Sequence, residues 1–299
     1  MPYRVVIMLL GSIYEKYVNA VKYEELKGNI EVLAVGDIAP YSRTLDGWRL
    51  CTTDEALACD FDYILFSQGI RETEEAARTF AKIGINEERV LSLEVFGAVC
   101  FDFRDYIKLH HTKQSIISIN CWGGFTSHAL RMKFRSPFVN LFMNDSDYLK
   151  LLQDLRGYMD KALVEDTDSE EAKKKPYPMA FLGDIQLHLN HYKTFAEAKE
   201  LWDKRKTRIN WDNLFVMMYT VHEENARLFD ELPYEHKVIF TPFDFGVSCQ
   251  ICLEDYNAWI DNMEKDFWKS VNGVANGKLQ YYNPIKLLNG DEDFYRIVK

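Results

Sequence analysis

The stretch R-V-V-I-M-L-L-G, Arg4–Gly11, decides the fold reading. A short apolar run closed by glycine is the pattern of a strand buried on both faces. Apolar residues at helical spacing follow over Tyr14–Leu26, then a second strand over Glu31–Val35 ending at Gly36-Asp37. A third strand spans Asp62–Ser67, a Glu-rich helix Glu72–Ile83, and a short strand Val90–Leu93. Strands spaced by helices imply right-handed βαβ units and a parallel sheet. Residues 101–114 read as a crossover, so residues 1–114 form a degenerate Rossmann-like domain.

The degeneracy lies in the first glycine loop. Dinucleotide binding uses G-x-G-x-x-G, whose second glycine lets the backbone approach a pyrophosphate. In the register that starts at Gly11, Ile13 and Lys16 fill the other two glycine positions. Tight NAD binding is therefore not expected. Asp37 stands about where a ribose-binding carboxylate would be, but reads first as a simple strand-ending turn.

Residues 115–299 read as a second, three-layer α/β domain. The pattern gives a strand over 115–119, a helix over 125–133, a strand over 137–143 and a helix over 146–161. The charged stretch Glu165–Lys175 is a surface loop. Strands at 178–182 and 185–189, a helix at 195–208, a strand at 214–219, a helix at 221–231 and a strand at 237–241 follow. Thr194 and Glu197 form a capping box for the helix at 195.

A net charge of −10 over 299 residues argues against a nucleic-acid binder. Apolar runs stop near strand length, far short of the ~20 residues a spanning helix needs. Six scattered cysteines in a chain of this size suit a reducing compartment, so a cytoplasmic address is expected. Cys249 and Cys252 form a C-x-x-C with no partner pair for a structural zinc, and read as core. No strong metal signal is present, and the cofactor is left open.

Chemistry is expected in the second domain. Asn120-Cys121-Trp122-Gly123-Gly124 joins a strand to a helix, where open α/β sheets bind ligands. Cys121 there is either a nucleophile with a lowered pKa or a buried thiol. Asp184, Gln186, His188 and Asn190 alternate with apolar neighbours, lining either a solvated sheet face or a cleft wall. In the cleft reading His188 is a base oriented by Asp184. His191 follows at a spacing that would need a bent chain to join it in a metal site. Arg205 and Arg208, in a helix end that carries four cations in five residues, suit a phosphate or form a solvated basic end. Asn210 and Asp212 either shape a turn or contact sugar hydroxyls.

At these residues the chain resembles an uncharacterised family of bacterial capsule and exopolysaccharide biosynthesis proteins, a domain of unknown function. The matching stretches are I-S-I-N-C-W-G-G (117–124), S-P-F-V-N-L-F (136–142), D-Y-L-K-L-L-Q-D-L (147–155), D-I-Q-L-H-L-N-H-Y-K (184–193), W-D-K-R-K-T-R-I-N-W-D-N-L-F-V (202–216) and L-P-Y-E-H-K-V-I-F (232–240). The resemblance implies a context, surface-polysaccharide assembly, and supplies no catalytic residues. The expectation is a transferase acting on a phosphorylated or nucleotide-activated sugar. His188 and Asp184 would be catalytic, with Asn120, Trp122, Gly123, Gly124, His191, Arg205, Arg208, Asn210 and Asp212 binding substrate. The alternative is a non-catalytic sugar- or nucleotide-binding protein of the same pathway, in contact with membrane glycosyltransferases. A third reading has Cys121 in acyl transfer. The transferase reading requires residues 120–124, 184–191 and 205–213 to share one pocket.

Overall fold

The computed structural model describes residues 1–278 and 281–294. The chain is mixed α/β with parallel-strand sheets, and divides into two compact units, Met1–Lys108 and Leu109–Lys299.

The first unit runs β1 (Tyr3–Met8), α1 (Ser12–Leu26), β2 (Ile30–Asp37), β3 (Thr44–Leu45), β4 (Trp48–Thr52), α2 (Thr53–Leu57), β5 (Tyr63–Phe66), α3 (Ile70–Ala81) and β6 (Val90–Ser92). Helix α4 (Phe103–Thr112) follows. The sheet order is β3-β4-β2-β1-β5-β6, parallel except for β3. Strand β1 is central because Val5–Met8 are fully buried, as a strand covered on both faces must be. Sequence reading passed over the β3–β4 hairpin, although its Asp46-Gly47 turn carries the strongest short-range hairpin signal. Both turn residues have positive φ, at 56° and 96°.

At the carboxyl end of β1 the broken glycine loop is tied down by the protein itself. The Leu10 N–H donates to the Asp37 carboxylate at 3.2 Å, and Ser67 Oγ donates to the Met8 carbonyl at 3.2 Å. Asp37 thus holds the turn, in line with the turn reading.

The second unit runs β7 (Ser115–Ser118), α5 (Trp122–Ala129), α6 (Asp145–Gln153), α7 (Leu155–Asp160), β8 (Leu163–Glu165), β9 (Met179–Leu182), β10 (Ile185–His188), α8 (Phe195–Lys206), β11 (Leu214–Tyr219), α9 (Glu223–Asp230), β12 (His236–Thr241), β13 (Gln250–Cys252), α10 (Met263–Ala275) and α11 (Pro284–Asn289). Four parallel strands form one sheet in the order β13-β12-β11-β7, and β10-β9-β8 form a separate antiparallel sheet. Helix α5 packs with α10, and α6 with α9.

Three elements differ from the sequence reading. The segment expected as a strand over 137–143 is bent instead, with Asn140 at φ 64°, and pairs through the bridge between Phe142 and His188 and through the Met143 N–H to the Ile119 carbonyl at 3.0 Å. The helix expected over 146–161 breaks at Asp154, which leaves the helical region (φ −144°, ψ 57°) and caps α7 by accepting the Gly157 N–H at 3.0 Å. The helix expected over 125–133 starts at Trp122 and ends before Arg131, which sits at φ 51°.

Gly36 marks the tightest point of the first sheet. A Cβ there would lie 2.8 Å from Ala56 Cβ and 2.8 Å from Met8 Sδ, in a core formed also by Val6, Ala34 and Ile64. Gly36→Ala is expected to cost about 1–3 kcal/mol by overpacking, read as a lower urea midpoint of unfolding.

Candidate functional site

The direction of the β7–β11 pair sorts the candidate residues. The strands are parallel, with Leu214 opposite Ser115 and Met217 opposite Ser118. Residues 120–124 therefore leave the carboxyl edge of the sheet, whereas Asn210 and Asp212 enter at its amino edge. At about 3.3 Å per residue the edges are on the order of 15–20 Å apart. Asn120–Gly124 and Asn210–Asp212 therefore do not share one pocket, as the single-cleft expectation required of them.

At the amino edge Asn210 is a structural turn residue. Its amide donates to the Thr112 and Lys113 carbonyls, each at 3.2 Å, and its backbone N–H donates to Ser115 Oγ at 2.8 Å. Asp212 donates its own N–H to the Asn210 side chain and leaves its carboxylate exposed. Arg205 and Arg208 lie against the loop at Phe134, whose carbonyl accepts from Arg208 Nη1 at 3.3 Å.

At the carboxyl edge, most of the motif is core. Trp122 is fully buried, stacks on Phe215 at 6.0 Å, and donates its indole N–H to Tyr282 Oη at 2.9 Å. It has no face left for a sugar, which corrects the stacking role. Gly123 lets α5 approach β7, since a Cβ there would lie 2.8 Å from Ser118 Oγ and 2.9 Å from an Ile116 methyl. Gly124 is similarly close to Val139, at 3.2 Å. Burial pushes the Cys121 thiol up to about 11, and the thiol donates to the Leu141 carbonyl at 3.9 Å. Sequence reading allowed a lowered value; desolvation acts in the opposite direction. Asn120 remains at the edge, capping the Trp122 N–H at 3.0 Å and directing its amide toward Asn272 Oδ1 at 3.4 Å.

The edge that carries Asn120 also carries polar groups outside the expected site residues. The Asp145 carboxylate, in the first turn of α6, accepts from Thr220 Oγ1 at 2.5 Å and Asn225 Nδ2 at 2.9 Å. Tyr219, half-buried at the end of β11, packs on Phe267 of α10. Burial, then the nearby Asp145 and Cys121, holds its hydroxyl protonated well above the ordinary value. Asn120, Asp145, Tyr219, Thr220, Asn225 and Asn272 thus come from four different elements and the loops that follow β7 and β11. The available signal was the run Asn144-Asp145-Ser146-Asp147 at a helix start, ordinarily read as capping.

His188 and Asp184 are separated as well. Asp184 lies in the β9–β10 turn, where it accepts from Tyr158 Oη at 2.7 Å and pairs with Lys150. Those bonds hold its carboxyl at about 2. It does not orient His188. The imidazole is buried, stacked on Phe142 at 4.2 Å and 11°, with Tyr177 Oη 3.4 Å from Nδ1. Nε2 has no hydrogen-bond partner among the described residues, and Glu171 lies 3.8 Å from it. Burial lowers the His188 pKa against the opposing pull of Glu171 and Asp147, with Lys175 adding to the lowering. His191 is exposed, beyond the end of β10. Among the described residues no group of three His, Cys, Asp or Glu side chains is placed to hold a metal ion.

Residues 93–289 match the family described as a domain of unknown function, DUF1919. The chain belongs to that family. The DUF1919 region contains every candidate residue discussed for the second unit. An uncharacterized protein of Haemophilus influenzae is 40% identical over 137 residues, 45% of this chain and 64% of the relative. The match thus spans less than two thirds of that relative's own length.

A neutral, buried His188 makes stability depend on pH. Its folded pKa lies below the ordinary 6.5, so the unfolded chain takes up the proton first and stability falls as pH drops below 6.5. Urea unfolding at stepped pH is expected to show that loss, and His188→Gln is expected to reduce it. In the same state Cys121 should resist alkylation at neutral pH and react once the chain is unfolded, measured by mass spectrometry.

Proposed function

We propose that the carboxyl edge of the four-stranded sheet binds a sugar, and that the chain is a transferase acting on a phosphorylated or nucleotide-linked sugar in surface-polysaccharide assembly. The observation that carries this reading is the Asp145 carboxylate held by Thr220 and Asn225 near Tyr219, with the Asn120–Asn272 pair at the same edge of the sheet. Carboxylate, amide and hydroxyl groups in alternation match the donors and acceptors of a polyol. Their place, at the carboxyl ends of parallel strands, is where open α/β sheets bind small molecules. The polysaccharide context comes from the sequence resemblance across residues 117–240.

In this reading Asp145 replaces His188 as the base. The carboxylate takes the proton of an acceptor hydroxyl as that oxygen bonds to the anomeric carbon, whose bond to the phosphate oxygen breaks and releases the phosphate or nucleoside diphosphate. Thr220 and Asn225 fix its orientation, and Tyr219, kept protonated, donates a hydrogen bond to the sugar. A non-catalytic variant, in which the edge holds a sugar for another enzyme, is favoured by one observation: Cys121, the nearest nucleophile, is protonated and engaged with Leu141.

Thermal-shift measurements against nucleotide sugars and sugar 1-phosphates, with product analysis on each ligand that raises Tm, test the reading. Asp145→Asn is expected to keep the thermal shift and to lower turnover by roughly 10²-fold or more, the usual contribution of a general base. Unchanged turnover removes Asp145 from the chemistry. Binding without product at any substrate leaves the non-catalytic variant, and no binding at all dismisses the sugar site.

A further inference from the structure

The amino edge of the same sheet carries a charge arrangement that the sugar reading does not use. Two segments in an acidic protein bring cations without intervening acids: Arg131, Lys133 and Arg135 in one, Lys204, Arg205, Lys206 and Arg208 in the other. The fold places them side by side. The Arg205 guanidinium lies 5.1 Å over the Phe134 ring, and Arg208 Nη1 donates to the Phe134 carbonyl. The Arg135 carbonyl accepts from Ser115 Oγ at 2.8 Å, fixing this loop beside the first residue of β7.

Arg205 is the decisive group. It is 9% exposed, yet among the described residues its guanidinium makes one hydrogen bond, from Nη1 to Tyr192 Oη at 2.9 Å. No carboxylate pairs with it among the described residues, and the nearby Asp203 is taken by Lys199 at 2.7 Å. A guanidinium has five N–H donors in a planar fork, so most of this one's capacity is unused. Its remaining nitrogens are not sealed in the interior. The dipole at the end of α8 attracts cations, but it acts equally on an exposed lysine and gives no reason to bury an arginine without an acid. The position is nonetheless well fixed: Phe134 takes one face of the fork, and Tyr192 is itself anchored by donating to the Val139 carbonyl at 2.8 Å.

We propose that Arg205 and Arg208, against the Phe134–Arg135 loop, form a binding site for a phosphate or diphosphate group. The planar forks supply paired N–H donors to phosphate oxygens, and the surrounding lysines raise the local positive potential. The site goes beyond the sugar reading and does not depend on it, since it lies at the opposite edge of the β7–β11 pair. The phosphate is carried either by a soluble phosphoester or by a lipid headgroup; the chemistry at the arginines is shared.

The test is calorimetric titration of the full chain with pyrophosphate, beside flotation with vesicles of phosphatidylcholine alone or mixed with phosphatidylglycerol. Saturable pyrophosphate binding is expected, weakened roughly tenfold or more by Arg208→Gln, whose side chain is half-exposed and whose loss leaves the fold intact by circular dichroism. Arg205→Lys keeps the charge but loses the fork, and is expected to weaken binding as well. Asp145→Asn is expected to leave it unchanged, which separates this site from the sugar edge. Vesicle capture that pyrophosphate displaces assigns the lipid source; pyrophosphate binding without vesicle capture assigns the soluble one. Absence of saturable binding, or affinity unchanged in both arginine variants, overturns the proposal. Vesicle capture without pyrophosphate binding also overturns it, in favour of diffuse charge attraction.

Discussion

The parallel pairing of β7 with β11 is the constraint on which the second unit depends. Ser115 faces Leu214 and Ser118 faces Met217, so both strands point the same way. Everything that follows β7 or β11 gathers at one edge, and everything that precedes them at the other. Tyr148 reinforces the pair, donating its buried hydroxyl toward the Ile117 and Met217 carbonyls at 2.9 and 2.8 Å. Two chemically distinct edges result. One collects amides, hydroxyls and a carboxylate; the other collects guanidinium groups.

Burial decides which motif residues remain available. The Asn120–Gly124 turn is a junction between strand and helix, as expected, but its tryptophan and glycines serve the packing of α5 on the sheet. Trp122 fills space between Phe215 and Phe240, and Gly123 permits an approach that any Cβ would obstruct. The same burial that makes Cys121 a core thiol raises its pKa and removes it as a nucleophile at neutral pH. Asn120 and Thr220 are buried as well, but each has its polar group bonded at the edge, Asn120 to the Trp122 N–H and Thr220 to the Asp145 carboxylate.

The small antiparallel sheet shows how a polar pattern can mislead. Asp184, Gln186 and His188 alternate as a cleft wall would, yet each satisfies a different neighbour. Asp184 turns to Tyr158 and Lys150, Gln186 donates to Asp166 at 2.8 Å, and His188 stacks on Phe142. Gln186 and Asp184 are structural in this geometry, and His188 adds a buried neutral imidazole whose cost appears only on protonation.

Periodicity and turn chemistry in the sequence determined the α/β class, the buried strand at Val5–Met8, the failed glycine loop and most strands and helices through Thr241, though not β3, β4, α2 or β8, because such features depend on neighbours a few residues apart. Local signals that went unread, such as Asp46-Gly47, were also of this kind. Tertiary structure alone decided which end of a strand each motif occupies, which motif residues are sealed in the core, that Thr220 and Asn225 meet Asp145, and that Asn272 meets Asn120. Those outcomes depend on pairing direction and burial between segments as far as 160 positions apart, as Trp122 and Tyr282 are, which no local pattern encodes.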